Sequence, residues 1–159
     1  MQAGVEVGIL KTIDAAATTT INLTGNTVAQ TLIGNTGANR LNGGSGNDTI
    51  TGGVGADVFV FTTALASNID RLTDYAVAAD RFELNDAAFT GLARGALATA
   101  AFAANLAGAA TNGLQRIIYE TDTGFLWFDA DGSGIGSATV QFADLAGGLA
   151  ILASEFSII

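Results

Sequence analysis

Glycine and one apolar residue recur together every nine positions through the first half of this chain. The apolar residues are Leu23, Leu32, Leu41, Ile50 and Phe59, and Gly25, Gly34, Gly43 and Gly52 keep step with them. In frame, the units read GNTVAQTLI, GNTGANRLN, GGSGNDTIT and GGVGADVFV. A flexible linker has no reason to hold an apolar side chain at a fixed phase, so these glycines specify turns. Each unit supplies a six-residue turn and a three-residue strand with its apolar side chain pointing inward. Two units complete one coil, and residues 18 apart stack. Unit 25–33 then lies under unit 43–51, and unit 34–42 under unit 52–60. The pattern predicts a parallel β-roll.

Composition narrows the chemistry. A chain of 159 residues suits one domain or a short repeat array with a cap. Cysteine and histidine are absent, which removes disulfides, thiolate or imidazole metal sites and the Ser-His-Asp triad. Six Lys plus Arg against fifteen Asp plus Glu give a formal charge of -9, unsuited to nucleic acid or an anionic membrane. No apolar run is long enough to predict a transmembrane segment, and residues 1–6 lack the regions of a Sec-type signal peptide. Carboxylates and backbone oxygens remain as metal ligands, and they suit a hard cation. The last two units match G-G-x-G-x-D-x-U-x, the calcium-binding nonapeptide of parallel β-rolls. They place Asp48 and Asp57 on opposite edges of the roll. The matching positions one coil earlier are Gln30 and Asn39, neutral oxygen donors.

Outside the array, Val5, Val7, Ile9 and Ile13, and then residues 18–23, read as short strands. Phe59 to Phe61 mark the place where a thin roll meets a wider core. Residues 69–75 and 79–84 are short alternating strands with acids at their ends. The Ala-rich stretch 86–112 predicts one or two short helices. Residues 115–120 and 124–128 read as a hairpin, with Trp127 in the core; 139–142 reads as a strand and 150–159 as a last apolar one. Asp129-x-Asp131-Gly-Ser133 resembles the opening of an EF-hand loop, but position 12 would be Val140, which cannot bind an ion. Two readings stand: a calcium ion on Asp129, Asp131 and Ser133, or a turn closed by Asx hydrogen bonds. The acids sit in turns rather than as a pair in a cleft, so no enzymatic activity is expected.

The run GGSGNDTITGGVGADVFVF resembles the repeats-in-toxin (RTX), haemolysin-type calcium-binding family. IDRLTDYAVAADRFEL is similar to the block that caps such rolls in serralysin-like exported proteins, and the later hairpins and tail extend the resemblance over nearly the whole chain. It implies an all-β fold: a parallel β-roll over 1–61, then a mixed β-rich C-terminal cap with short helices and a secretion signal over 62–159. It implies Ca2+ at one site using Gly43, Ser45 and Asp48 with Asn26 or Gln30. A second would use Gly52, Val54 and Asp57 with Asn35 and Asn39, completed by Asp74 or Asp80 from the cap. Ser45 and Val54 would serve through their carbonyls. The neutral Gln30 and Asn39 imply weaker binding in the lower coils. The resemblance also implies a secreted, extracellular or cell-surface protein. A type I ABC exporter would read the uncleaved C-terminal Glu155-Phe156-Ser157-Ile158-Ile159, and an upstream domain of a larger exported protein would precede the roll. Calcium-dependent folding and export is the first functional expectation. The alternative is a calcium-stabilised adhesion or self-assembly module contacting glycan, a surface layer or its own copies.

Overall fold

The computed structural model describes residues 8–63 and 68–159. The strand expected at Val5 and Val7 lies outside the described residues. The chain then winds as the nine-residue phase dictates, in strands β1 (Ile9–Lys11), β2 (Asn22–Thr24), β3 (Thr31–Ile33), β4 (Arg40–Asn42), β5 (Thr49–Thr51) and β6 (Val58–Phe61). Odd strands stack in one sheet and even strands in the other. Leu32 pairs with Ile50, and Leu41 with Phe59, each in parallel register at the expected offset of 18. β3, β4 and β5 each bury only their middle residue, because one inward side chain per strand fills a thin roll. Burying each such Leu or Ile contributes about 1.5–3 kcal/mol, so three-residue strands hold only as a stack.

The same two sheets continue through β7 (Asp70–Leu72), β8 (Arg81–Leu84), β9 (Gly95–Ala96), β10 (Phe102–Asn105), β11 (Ile117–Glu120), β12 (Phe125–Phe128), β13 (Val140–Asp144) and β14 (Phe156–Ile158). One sheet runs β1-β3-β5-β7-β13-β12-β11-β10, the other β2-β4-β6-β8-β14-β9. The inward column of the second sheet widens from Leu23 and Leu41 to Phe59, Phe82 and Phe156. Phe82 stacks between Tyr75 and Phe156, with ring centroids 4.5 Å away on both sides. Phe61 meets Phe142 edge-on, and Phe142 meets Phe89. The Phe-Val-Phe run therefore marks the thickening, as its bulk predicts.

The hairpin forms, with β11 antiparallel to β12. The short helices do not. Among the described residues, helical structure is limited to two 3-10 turns, Thr99–Ala101 and Ala153–Glu155. Gly91, Gly95 and Gly108 all take positive φ in the Ala-rich stretch, which breaks a helix, and its apolar residues follow no helical period. Leu106 is exposed while Phe89 is buried, and residues 102–105 become β10, parallel to β11. Trp127 is also not core: it is half-buried on the outer face of β12, its indole N–H donating to Glu120 Oε2 at 3.1 Å. No helix among the described residues is long and apolar enough to cross a membrane.

Candidate metal centre

The chain crosses from the second sheet to the first through turn 43–48 and returns through turn 52–57. Position six of each turn is an aspartate almost without solvent contact: Asp48 is 1% exposed and Asp57 0%. Each has one oxygen committed. Asp48 Oδ1 accepts the Gln30 N–H at 2.7 Å, and Asp57 Oδ1 accepts the Asn39 N–H at 2.8 Å, each one coil below. The second oxygen of each, Oδ2, is buried with no hydrogen-bond partner among the described residues. It sits over the first glycine of its own turn. A Cβ on Gly43 would lie 2.3 Å from Asp48 Oδ2, and one on Gly52 2.4 Å from Asp57 Oδ2, so only glycine fits. The second and fourth residues of both turns take positive φ (Gly44, Gly46, Gly53 and Gly55), as glycine allows without steric penalty.

The cap closes these turns with more carboxylates. Asp70 Oδ1 accepts the Asp48 N–H at 3.0 Å, and Asp80 Oδ1 accepts the Asp57 N–H at 2.9 Å. Asp74 takes the N–H groups of Gly52 and Gly53 at 2.9 and 2.8 Å. Each roll edge thus carries a ladder: Gln30, Asp48, Asp70 on one and Asn39, Asp57, Asp80 on the other. Burial raises Asp48 to about 6 and Asp70 to about 7. It raises Asp57 and Asp80 too, and Asp80 and Asp74 add like-charge repulsion at Asp57. Buried carboxylates with orphan oxygens and no cationic partner are destabilising as charged groups unless a cation joins them.

The donor set fits a hard divalent cation. All the candidate atoms are carboxylate or backbone oxygens, the choice of calcium and not of zinc or copper. Among the described residues, no three acidic side chains converge as a ready-made metal cluster. One carboxylate per turn must therefore be supplemented by carbonyls, such as those of Gly43, Ser45, Gly52 and Val54. Val54, 73% exposed, has no side-chain oxygen, so only its carbonyl could serve.

Asn35 and Asn39 are brought together, but they face each other. Asn39 Oδ1 accepts the Asn35 N–H at 2.9 Å, and its Nδ2 donates to Asn35 Oδ1 at 2.9 Å and to Gly37 O. In turn 25–30, Gln30 Oε1 accepts the Asn26 N–H at 2.7 Å. Asp129 and Asp131 lie far along the chain in a loop closed by its own groups. Asp131 Oδ2 accepts the N–H groups of Gly136 and Ser137, while Asp129 accepts from the Asp131 N–H and the Thr139 hydroxyl. The Gly136 N–H in particular holds the Asp131 carboxyl below its ordinary value. Ser133 contributes an N–H to Asn112 O.

Among known protein families, the match falls on this stack. Residues 24–59 match four copies of the RTX calcium-binding nonapeptide repeat. No curated protein matches the chain. RTX repeats bind Ca2+ and are typical of secreted proteins, and they are structural repeats rather than catalytic ones. The match ends at Phe59, before Asp70, Asp74 and Asp80. Sequence reasoning passed over Asp70 because it stands 22 residues from Asp48, off the 18-residue phase; an acid opening the alternating Asp70-Arg71-Leu72 strand was the available signal. It also gave Glu155 no structural partner. That side chain is 3% exposed, accepting the Tyr75 hydroxyl at 2.9 Å and the Ala78 N–H at 3.2 Å.

Proposed function

We propose that this chain is a calcium-dependent folding and export module of a bacterial protein, with ions held at turns 43–48 and 52–57. The observation that carries this reading is the pair of buried, unpartnered oxygens, Asp48 Oδ2 and Asp57 Oδ2, over glycines that leave them room. The ligands assigned are Asp48 and Asp57 with the carbonyls of Gly43, Ser45, Gly52 and Val54, and Asp70, Asp74 and Asp80 close the cap side. Loop 129–137 is assigned to the Asx-bonded turn, since three of its four carboxylate oxygens accept hydrogen bonds from groups at 131–139; the fourth, Asp131 Oδ1, is buried without a partner among the described residues.

Calcium, when held by the buried Asp48 and Asp57 carboxylates and the turn carbonyls, would supply positive charge to offset those carboxylates. This chain's residues do the rest: glycines give the turns their φ angles, N–H groups one coil away orient each carboxylate, and the inward apolar column excludes water. Binding energy then becomes folding energy. At low calcium inside a cell the buried acids oppose the roll, and outside, where calcium is millimolar, the ion offsets them. A terminal signal at 155–159 read by a type I exporter must be read before folding, because Glu155, Phe156 and Ile158 are buried once β14 pairs with β8.

Circular dichroism and urea unfolding, with calcium and with chelator, test the proposal. Calcium is expected to raise the urea midpoint and sharpen the β signal; an unchanged spectrum and midpoint would overturn it. A second reading, calcium-stabilised self-assembly, is favoured by the first coil. There Ile9 is 60% exposed, and β1 and β2 each have one unpaired edge among the described residues. Calcium-dependent growth in light scattering would select it.

A further inference from the structure

The four repeats are not four versions of one site. Turns 43–48 and 52–57 take positive φ at their second and fourth residues, yet turns 25–30 and 34–39 take it at none of Asn26, Val28, Asn35 or Gly37. Gly37 is free to adopt it and does not, so the difference lies in the whole turn and not in one side chain. The lower turns are also differently filled. Asn39 Oδ1 lies where Asp57 Oδ2 lies in its own turn: a Cβ on Gly34 would come within 2.6 Å of it. But Asn39 Oδ1 is occupied by the Asn35 N–H, and the corresponding N–H in the upper turns is drawn away, Gly44 to Asn42 Oδ1 and Gly53 to Asp74 Oδ2. The Asn39 amide nitrogen, a donor with no lone pair to offer an ion, reaches the Gly37 carbonyl and Asn35 Oδ1. Both oxygens are thereby engaged within the turn. No acid stands between Asp14 and Asp48, so nothing formally negative within the lower turns offsets a divalent charge.

We infer that turns 25–30 and 34–39 are closed by their own side-chain amides in place of an ion, and that calcium is confined to the upper pair of turns and the cap. The inference rests on the calcium reading above and limits it. Asn35 and Asn39 are structural groups, not ligands. The roll begins as an ion-free coil held by hydrogen bonds and becomes ion-dependent only from Gly43 onward. An N–H group of Asn39 stands in for the cation, satisfying the same kind of carbonyl with no divalent charge.

Two variants of the whole chain test this by calorimetric calcium titration, with bound ions counted by atomic absorption after desalting. Asn39→Ala removes the amide and leaves the backbone N–H that orients Asp57. The bound-ion number is expected to match wild type, while the unfolding equilibrium in chelator shifts about tenfold, the effect of one or two buried hydrogen bonds. The loss of a bound ion would overturn the inference. The double variant Asn35→Gly/Asn39→Asp rewrites the turn as GGTGAD and is assayed in calcium, so it remains informative if Asn39→Ala fails to fold. It is expected to bind one additional ion per chain; an unchanged number with tighter binding would show that the turn already held one, and would overturn the inference. Wild-type protein that binds no calcium at all would instead sink the calcium reading itself, a separate and recognisable result.

Discussion

Replacing Asp48 with asparagine should make the protein more stable without calcium and less stable with it. Burial raises this carboxyl from 3.8 to about 6, against the opposing effect of the Gln30 N–H. At pH 7.5 the charged form therefore costs the metal-free fold up to about 3 kcal/mol, at 1.36 kcal/mol per pH unit. Residual solvent screening reduces this to about 1–2 kcal/mol. Asparagine keeps an acceptor for Gln30 and loses the charge. Its amide nitrogen can donate to turn carbonyls, as Asn39 does to Gly37. In chelator, Asp48→Asn should thus gain about 1–2 kcal/mol. In calcium at a hundredfold excess over Kd, wild type gains about 2.7 kcal/mol per ion, and the variant forgoes the ion at this turn. Urea unfolding of both proteins, in calcium and in chelator at pH 7.5, should give two pairs of curves whose order reverses. A variant that is less stable than wild type in chelator, or that gains as much from calcium, would refute the reasoning.

Three further outcomes are expected. Gly43→Ala places a Cβ 2.3 Å from Asp48 Oδ2 and should abolish the calcium gain at that turn, whereas Gly113→Ala, with nothing within 4 Å, should leave calorimetric binding intact. With Asp70 raised to about 7 and Asp48 to about 6 by burial, the folded chain holds protons that the unfolded chain releases near 4. Metal-free stability should accordingly be greatest below about pH 4 as regards these groups, and should fall as pH rises through 6–7; saturating calcium should flatten that decline in a urea series. Tyr75→Phe removes the donor shared by the buried Glu155 Oε2 and the Asp80 carbonyl and should cost about 1–3 kcal/mol in chelator; because Asp80 closes the cap side of turn 52–57, the urea series in calcium should show at least the same loss.

The resemblance to exported calcium-binding proteins rests on the strongest part of the sequence, where four repeats match in register. Beyond Phe59 the same reading was uneven. The hairpin 117–128 was legible because alternating apolar residues flank a turn ending in Gly124, which takes positive φ. The stretch 86–112 was not, because alanine's helix preference was outweighed by positive-φ glycines and by the parallel pairing of β10 with β11. Asp74 and Asp80 were legible as cap acids beside the last turn, and Asp70 was not, though it holds the Asp48 N–H as Asp80 holds that of Asp57.

What the sequence determined by itself was everything that repeats: coil length, register, the inward column from Leu23 to Phe59, and the two turns that carry Asp48 and Asp57. A solenoid allows this because each unit touches only its neighbours, so a local period is already a three-dimensional position. The tertiary structure alone decided what breaks the period. The excursions before β7 and β8 lengthen the step to 22 and 23 residues, and only packing shows that Asp70 and Asp80 nonetheless land on the ladders. The last strand finds its place beside β8 through Phe82 and Phe156, and through Tyr75 and Glu155, 80 residues apart. Such contacts form between side chains with no shared phase in the sequence. The lower turns belong partly to the same class: the sequence shows that they lack an acid, and the structure shows that Asn39 faces Asn35 and that neither turn takes positive φ.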